Sequence, residues 1–297
     1  MYHKPVLLKE SVDALLVNPD GVYVDVTFGG GGHSREILSK LSEKGRLYSF
    51  DQDMDALGNT IDDPRFTLIN QNFRFLENSL LMYDVTQVDG VLGDLGVSSH
   101  QFDEAERGFS IRSDAPLDMR MNVMQRLNAQ EVINDYEEER LADIFYYYGE
   151  LREARKLARE IVHKRKEKKI ETTEDLKKVF SYIPAHKSNK FFAQIFQAVR
   201  IEVNQELEAL KEMLQQSSRI LKKGGALVII SYHSLEDRLV KKFLKNGMFE
   251  GEPERDIFGN YDKVFHLPHS KAIIPSDEEI EENSRARSAK MRVGIKL

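Results

Sequence analysis

Hydrophobic and polar positions alternate between strand-like and helix-like periods in the first third of the chain, and then keep only the helical one. Leu8, Val12, Leu15 and Leu16 recur at helical spacing. Residues 22–28 run apolar, β-branched and aromatic, as a buried strand does. Helical patterns over 33–43, 53–60 and 75–81 then alternate with strand patterns over 46–50, 66–72 and 88–95. Such strand–helix alternation predicts a parallel sheet with right-handed crossovers.

The rhythm breaks at residues 95–122, which carry glycines, serines, charges and Pro116 with no clear period. A loop that long in a compact protein is usually functional or disordered, and its mix of aromatic, acidic and arginine residues favours function. Residues 128–183 are helical throughout. Leu151, Ala154, Leu157, Ala158, Ile161 and Val162 form one apolar stripe, and Leu176, Val179, Phe180 and Ile183 another. Thr172 or Thr173, followed by Asp175, reads as a helix cap between them. One long helix is predicted over 191–221, stopped by Gly224-Gly225, before a strand over 226–232. A helix over 235–245 and strands over 263–267 and 291–295 complete the chain, with the acidic run 277–282 reading as a solvated surface. The predicted organisation is one α/β domain made of residues 1–104 and 199–297, interrupted by an all-helical insertion, 105–198.

Composition narrows the function more than the fold. Of 297 residues, 41% are hydrophobic, enough for a packed core. The net charge of −6 argues against a protein that coats nucleic acid indiscriminately, because such affinity comes mainly from phosphate neutralisation. Cysteine is absent, which excludes disulfides, thiolate metal sites and a cysteine nucleophile. No stretch approaches the roughly 20 apolar residues that span a bilayer, and residues 1–10 lack the apolar run of a signal peptide. The expectation is a soluble cytoplasmic protein.

The stretch richest in chemistry is Gly29-Gly30-Gly31-Gly32, directly after the first strand and before a helix. Strand, glycine turn and helix make a nucleotide cradle, because glycine admits positive φ and the helix points unpaired N–H groups at a ligand. A dinucleotide site asks for G-x-G-x-x-G, and Ser34 stands where its third glycine belongs. Asp51, at the end of the second strand, can accept both hydroxyls of a ribose, in a nicotinamide enzyme or in an adenosylmethionine-dependent methyltransferase alike. Two features favour the methyltransferase. Asp25 precedes the glycines, where it would hold the cofactor's amino-acid part, directly or through water, and repel a pyrophosphate. The final pair of strands also suits a seven-stranded sheet whose last strand is antiparallel. Phe73, after the third strand, is placed to face an adenine or to fill the core.

Eight motifs occur in order: His3-Lys4-Pro5-Val6-Leu7, Thr27-Phe28-Gly29-Gly30-Gly31-Gly32-His33-Ser34, Asp94-Leu95-Gly96-Val97-Ser98-Ser99, Ala105-Glu106-Arg107-Gly108-Phe109-Ser110, Pro116-Leu117-Asp118-Met119-Arg120-Met121, Phe196-Gln197-Ala198-Val199-Arg200-Ile201, Ser231-Tyr232-His233-Ser234-Leu235-Glu236-Asp237-Arg238 and Arg285-Ala286-Arg287-Ser288-Ala289-Lys290. Together they resemble the bacterial small-subunit (16S) ribosomal RNA cytosine-N4 methyltransferases, the MraW or RsmH family, nearly from end to end. The resemblance implies a class I adenosylmethionine-dependent methyltransferase fold, Rossmann-like with a seven-stranded, mostly parallel sheet and a helical substrate-recognition insertion. It implies S-adenosylmethionine as methyl donor and N4 of a cytidine in the decoding region as acceptor. Carried over by position, the cofactor contacts fall on Gly31, Gly32, His33, Asp51, Phe73, Asp94 and Gln101. The sequence departs from the family at Gly30, which loosens the turn, and at Gly93, where a bulky apolar residue is common and its loss is expected to leave space beside Asp94.

The amino nitrogen of cytosine delocalises its lone pair into the ring, so acceptors on its N–H groups help to localise it as the new bond forms. Asp94 is the candidate acceptor, the alternative being a purely cofactor-positioning role, and an exposed strand end is expected to keep its carboxyl ionised. Asp118 and His233 are further polar candidates for catalysis, although a histidine at that place can instead orient Asp237 or Arg238. Phe109 or Tyr232 is a candidate to stack the flipped base. For RNA contact, Arg285, Arg287 and Lys290 belong to a family motif. A second cluster, residues 152–169, holds nine Lys or Arg against three Glu, a pattern that also describes an ordinary solvated helix face. His266 and His269 lack carboxylates at matching spacing, so no metal site is expected. The expected partner is ribosomal RNA, within an assembled or nearly assembled 30S subunit, and a homodimer is left open. The rivals are a nicotinamide-dependent oxidoreductase and a non-catalytic RNA-binding protein.

Overall fold

The computed structural model describes residues 5–258 and 261–297, so His3 and Lys4 of the first motif lie outside the described residues. The chain divides into two units, Met1–Gly96 with Leu207–Leu297, and Val97–Glu206.

The first unit is built on a seven-stranded sheet. In chain order its elements are α1 (Leu8–Leu15), β1 (Val22–Asp25), α2 (Gly32–Lys40), β2 (Arg46–Phe50), β3 (Phe66–Ile69), α3 (Leu76–Leu81) and β4 (Val88–Asp94). After the second unit the sheet resumes with β5 (Leu221–Ser231), β6 (Phe265–His266) and β7 (Lys290–Lys296), in the order β3-β2-β1-β4-β5-β7-β6. The first five strands in that order are mutually parallel. β7 runs antiparallel to β5 and pairs with β6. Alternate residues of β5 feed different clusters: Leu227 and Ile229 join one with Val24, Val91 and Leu214, while Val228 and Ile230 join another with Tyr23, Leu92 and Met291. A strand buried on both faces must be apolar at every position, which is why these segments read as continuous hydrophobic runs.

The strand order also fixes where a ligand can bind. From β1 the chain winds outward through β2 to β3, and from β4 it winds the other way to β5. The loops after β1 and β4 therefore diverge, leaving a crevice at the C-terminal edge of the sheet.

The second unit comprises α4 (Ser99–Asp103), α5 (Ala129–Asp135), α6 (Glu138–Tyr147), α7 (Ala154–Glu167), α8 (Thr173–Val179) and α9 (Ala185–Asn204) around its own core, which includes Phe145, Ile161, Leu176 and Ile195. Its bounds are wider than the 105–198 read from periodicity. Val97 and Phe102 pack on that core at one end of the segment, and Val199 and Val203 belong to it at the other. Thr172 caps α8, its hydroxyl accepting from Asp175 N at 3.2 Å.

Three local expectations fail for identifiable reasons. The single helix over 191–221 is two, α9 and α10 (Glu206–Ile220), separated by Gln205 at φ 50°. Periodicity does not register a one-residue left-handed step. The second helix ends before the glycines, because Leu221 already pairs with Val88 and the ladder shifts register between Val88 and Gly90. The acidic run forms a short helix, α12 (Asp277–Glu282), after a helix α11 (Ser234–Asn246) and β6. Ser276 caps α12, and its first-turn acids complement the positive end of the helix dipole. One of them is not merely solvated: Glu279 Oε1 accepts the backbone N–H of Leu7 at 2.7 Å.

Candidate active site

β1 ends in a buried anchor. Asp25 is 1% exposed, and its oxygens accept Ser34 Oγ at 2.7 Å, Thr27 N at 3.0 Å and Thr27 Oγ1 at 3.3 Å. Asp25 thus ties the turn to α2. Its side chain is satisfied within its own chain and shapes the turn. Ser34, the departure from a dinucleotide fingerprint, is the residue that satisfies it.

The glycine turn is shaped by two close approaches. Gly31 has φ +76° and caps α2, and a Cβ there would stand 2.9 Å from the Phe28 ring. A Cβ on Gly32 would meet Pro5 Cγ at 2.1 Å, so the segment before α1 lies directly against the cradle. His33, 5% exposed, continues that contact: its Nε2 lies 3.2 Å from Val6 O and its Nδ1 lies 3.8 Å from Asp94 Oδ2. The first N–H groups of α2 have no acceptor within the helix.

Asp51, after β2, accepts Gly29 N at 2.8 Å with one oxygen and Asp53 N at 2.9 Å with the other. Burial pushes its carboxyl up to about 6, against the lowering effect of those two amides. Asn72 Nδ2 donates to Gln52 Oε1 at 2.7 Å, joining the segments after β2 and β3. Phe73 follows Asn72, half-buried against the sheet core.

Asp94 ends β4 across the crevice. Its backbone N donates to Thr27 Oγ1 at 2.6 Å, and its Oδ1 accepts the Tyr232 hydroxyl at 2.8 Å. The side chain is 21% exposed, and burial lifts its carboxyl to about 6 despite His33 and Tyr232, so the strand end does not keep it ionised by exposure. Nor is there space at Gly93, where a Cβ would stand 3.1 Å from Val26 Cγ2 and 3.2 Å from Ile229 Cδ1.

His233 opens α11 as a capping box. Its Nδ1 accepts Glu236 N at 3.4 Å, and Glu236 Oε2 accepts Tyr232 N at 2.9 Å and His233 N at 3.2 Å. The His233 side chain thereby caps α11, while Asp237 is held by Arg292 Nε at 2.6 Å. Arg285 and Arg287 are exposed, whereas Lys290 reaches Asp237 at 3.5 Å. His266 and His269 are both exposed.

The remaining candidates belong to the second unit and are engaged there. Gln101 is 5% exposed, and its Oε1 accepts Ser98 N at 3.1 Å in the capping box that starts α4. Asp118 is held by Arg120, with Nη2 2.7 Å and Nε 2.9 Å from its oxygens. That pairing occupies both carboxyl oxygens of Asp118 within the second unit. Phe109 is 5% exposed within the helical core and cannot stack a base. In the basic cluster, Arg165 is committed to Ile133 O and Tyr136 O at 2.9 and 2.7 Å, and Lys164 and Lys168 pair with Glu167 and Asp175.

The first unit therefore brings together the glycine turn, His33, Asp51, Phe73 and Asp94. Sequence reasoning missed the hydroxyl of Tyr232 as the partner of Asp94. The signal was available: Tyr232 directly follows β5, the strand paired with β4.

Comparison with known proteins shows the family. A family model described as the MraW methylase family matches residues 1–297. A protein of Christiangramia forsetii named ribosomal RNA small subunit methyltransferase H is 62% identical over 297 residues, covering 100% of this chain and 98% of the relative. One of the same name from Bacteroides fragilis is 57% identical, covering 99% of this chain and 97% of the relative. Among solved structures, a putative rRNA-methylase of Clostridium thermocellum aligns with 14% identity and a TM-score of 0.47, covering 99% of this chain and 98% of that one.

Proposed function

The chain belongs to the MraW methylase family, and on that premise we propose that it transfers a methyl group from S-adenosylmethionine to N4 of a cytidine in the decoding region of small-subunit ribosomal RNA. The observation that carries the reading is its end-to-end likeness to relatives named ribosomal RNA small subunit methyltransferase H. The choice of N4 rests on the family resemblance and on the carboxyl of Asp94 at the end of β4.

The residues of the first unit fit this donor. The cradle at Gly31 and Gly32 is one that any Cβ would fill. Two carboxyls, Asp51 and Asp94, edge the crevice, which suits a cationic sulfonium and opposes a pyrophosphate. Asp51 takes the ribose hydroxyls, Phe73 faces the adenine, and the turn with the start of α2 receives the amino-acid part. Bound there, adenosylmethionine supplies a methyl carbon on a sulfonium: the N4–C bond forms, the C–S bond breaks with its electron pair left on sulfur, and N4 sheds a proton. The protein aligns the attack rather than furnishing a nucleophile. Asp94 accepts an amino N–H, which draws the lone pair out of the ring, and then receives the proton. The exposed Arg285 and Arg287 contact phosphate.

The substrate is an assembled or nearly assembled 30S subunit, supported by a net charge of −6 that gives little attraction to bare RNA. The deciding experiment incubates the protein and labelled adenosylmethionine with isolated small subunits and, separately, with naked 16S RNA, followed by nucleoside mass spectrometry. N4-methylcytidine formed faster on subunits is expected. Absence of N4-methylcytidine from both substrates overturns the reading.

A further inference from the structure

We propose that Tyr232 is a positioning residue for methyl transfer: its hydroxyl occupies one oxygen of Asp94 and so leaves the other as the acceptor for the amino proton. The inference rests on the function proposed above.

The sequence places this tyrosine with unusual economy. β4 and β5 run parallel with Asp94 opposite Ile230, and Leu95 N donates to Ile230 O at 2.9 Å, so the two strands leave the sheet side by side. Tyr232 then stands two residues past the level of Asp94, and its hydroxyl reaches Oδ1 at 2.8 Å. Three restraints hold it there. Its backbone N and that of His233 both bind the buried Glu236 carboxyl. Its ring packs against the cluster containing Leu92 and Ile230. Gly96, at φ +98°, would bring a Cβ only to 3.7 Å from Tyr232 Cδ2, so the chain after β4 passes close to the ring edge.

The chemistry of the pair follows from its surroundings. Burial and the adjoining Asp94 raise the phenol far above its usual range, so the hydroxyl donates at every working pH and does not compete for the substrate proton. Among the described residues, the charged or titratable groups acting on Asp94 are Asp25 from β1, His33 from α2, Tyr232 after β5 and Glu236 from α11. Asp25 and Glu236 favour the protonated acid, while His33 and Tyr232 favour the carboxylate. Burial leaves the balance at about 6, close enough to neutrality that one lost donor changes the charged fraction. Without the phenol, Oδ1 of Asp94 also loses its donor, so the acceptor is no longer singled out.

The test is Tyr232→Phe, which keeps the ring and removes the donor, checked for folding by its thermal midpoint. In protein free of ligand, with aspartate labelled at the carboxyl carbon, the NMR titration midpoint of Asp94 should rise by roughly half to one pH unit. The acid limb of single-turnover methyl transfer should move up by the same amount, with the KM for adenosylmethionine within about twofold of wild type. If that variant does not fold, 3-fluorotyrosine installed at 232 strengthens the donor and should move the Asp94 midpoint down. An unmoved midpoint in the folded phenylalanine variant, or in the fluorotyrosine protein where that one is used, overturns the inference. Failure of the wild type to make N4-methylcytidine overturns the proposed function instead, and the two results are read on different samples.

Discussion

Ser34 Oγ donates to Asp25 Oδ2 at 2.7 Å and shares a second bond, of 2.8 Å, with Ser49 Oγ, inside the buried junction of β1, β2 and α2. All three residues are at most 1% exposed. Water cannot replace a bond broken there without entering the core. Ser34→Ala should therefore cost about 1–3 kcal/mol of stability, the penalty of leaving a buried carboxyl one donor short. Urea unfolding measures it, and a midpoint unchanged from wild type would show that Asp25 finds another partner.

The close approach of Pro5 to Gly32 makes Gly32→Ala a test of the cradle. With a Cβ placed 2.1 Å from Pro5 Cγ, the segment before α1 has to move off the turn. Adenosylmethionine affinity, measured by calorimetry, should fall by at least about tenfold, because the donor site and that segment share one wall. Gly31→Ala adds backbone strain of about 1–2 kcal/mol at φ +76°. Retention of wild-type affinity in both variants would remove the turn from the binding site.

Asp51 gives the donor site a pH dependence with a defined sign. Burial raises its carboxyl to about 6, so the folded chain holds the proton more tightly than the unfolded one. Stability contributed by this group is therefore lost as pH rises from about 4 to about 6, and is level above that. Binding runs the other way, since ribose hydroxyls need an acceptor that is ionised. The Kd for adenosylmethionine should rise as pH falls below about 6, by up to about tenfold per unit. Asp51→Asn should bind weakly at every pH with this slope gone; a slope that survives the substitution assigns the titration elsewhere.

Within the helical unit, Asn204 fastens the irregular segment that carries Asp118. Its Oδ1 accepts Met121 N at 2.7 Å and its Nδ2 donates to Met119 O at 2.8 Å, where Met119 has a left-handed φ of 57°. Asn204→Ala removes the acceptor of Met121 N and a donor to Met119 O, both buried, and should destabilise the protein by about 2–4 kcal/mol. Hydrogen exchange should show loss of protection over residues 117–125 before the rest of the unit. Uniform loss would contradict a local clasp.

Arg285 and Arg287 make an RNA test that separates contact from fold. Both are exposed on a single turn of 3-10 helix, whereas Lys290 is held by Asp237 beside β7. Arg285→Ala with Arg287→Ala should raise the KM for small subunits several-fold, leave kcat and the thermal midpoint near wild type, and lower the salt dependence of binding by about one charge per contact. An unchanged KM would move the RNA surface elsewhere.

The sequence alone determined the parallel sheet, the place of its glycine turn and the existence of a helical insertion, because each depends on periodicity or on glycine at a point where backbone geometry demands it. Asp51 and Asp94 were legible for the same reason: each ends a strand, and strand ends at one edge of a parallel sheet converge. Tertiary structure decided what those residues touch. Asp25 and Ser34 are nine apart in sequence and looked like separate clues, yet a buried carboxyl must find donors and Ser34 is its partner. Gln101, a candidate cofactor contact, and Asp118 and His233, candidates for catalysis, make local bonds to Ser98, Arg120 and Glu236. Tyr232 lies 138 positions from Asp94, a distance in sequence that only the pairing of β4 with β5 closes. Strand periodicity comes from the side chains within one element, whereas a partner's hydroxyl at 2.8 Å is set by two elements packed together, and that packing is written in no single stretch of the chain.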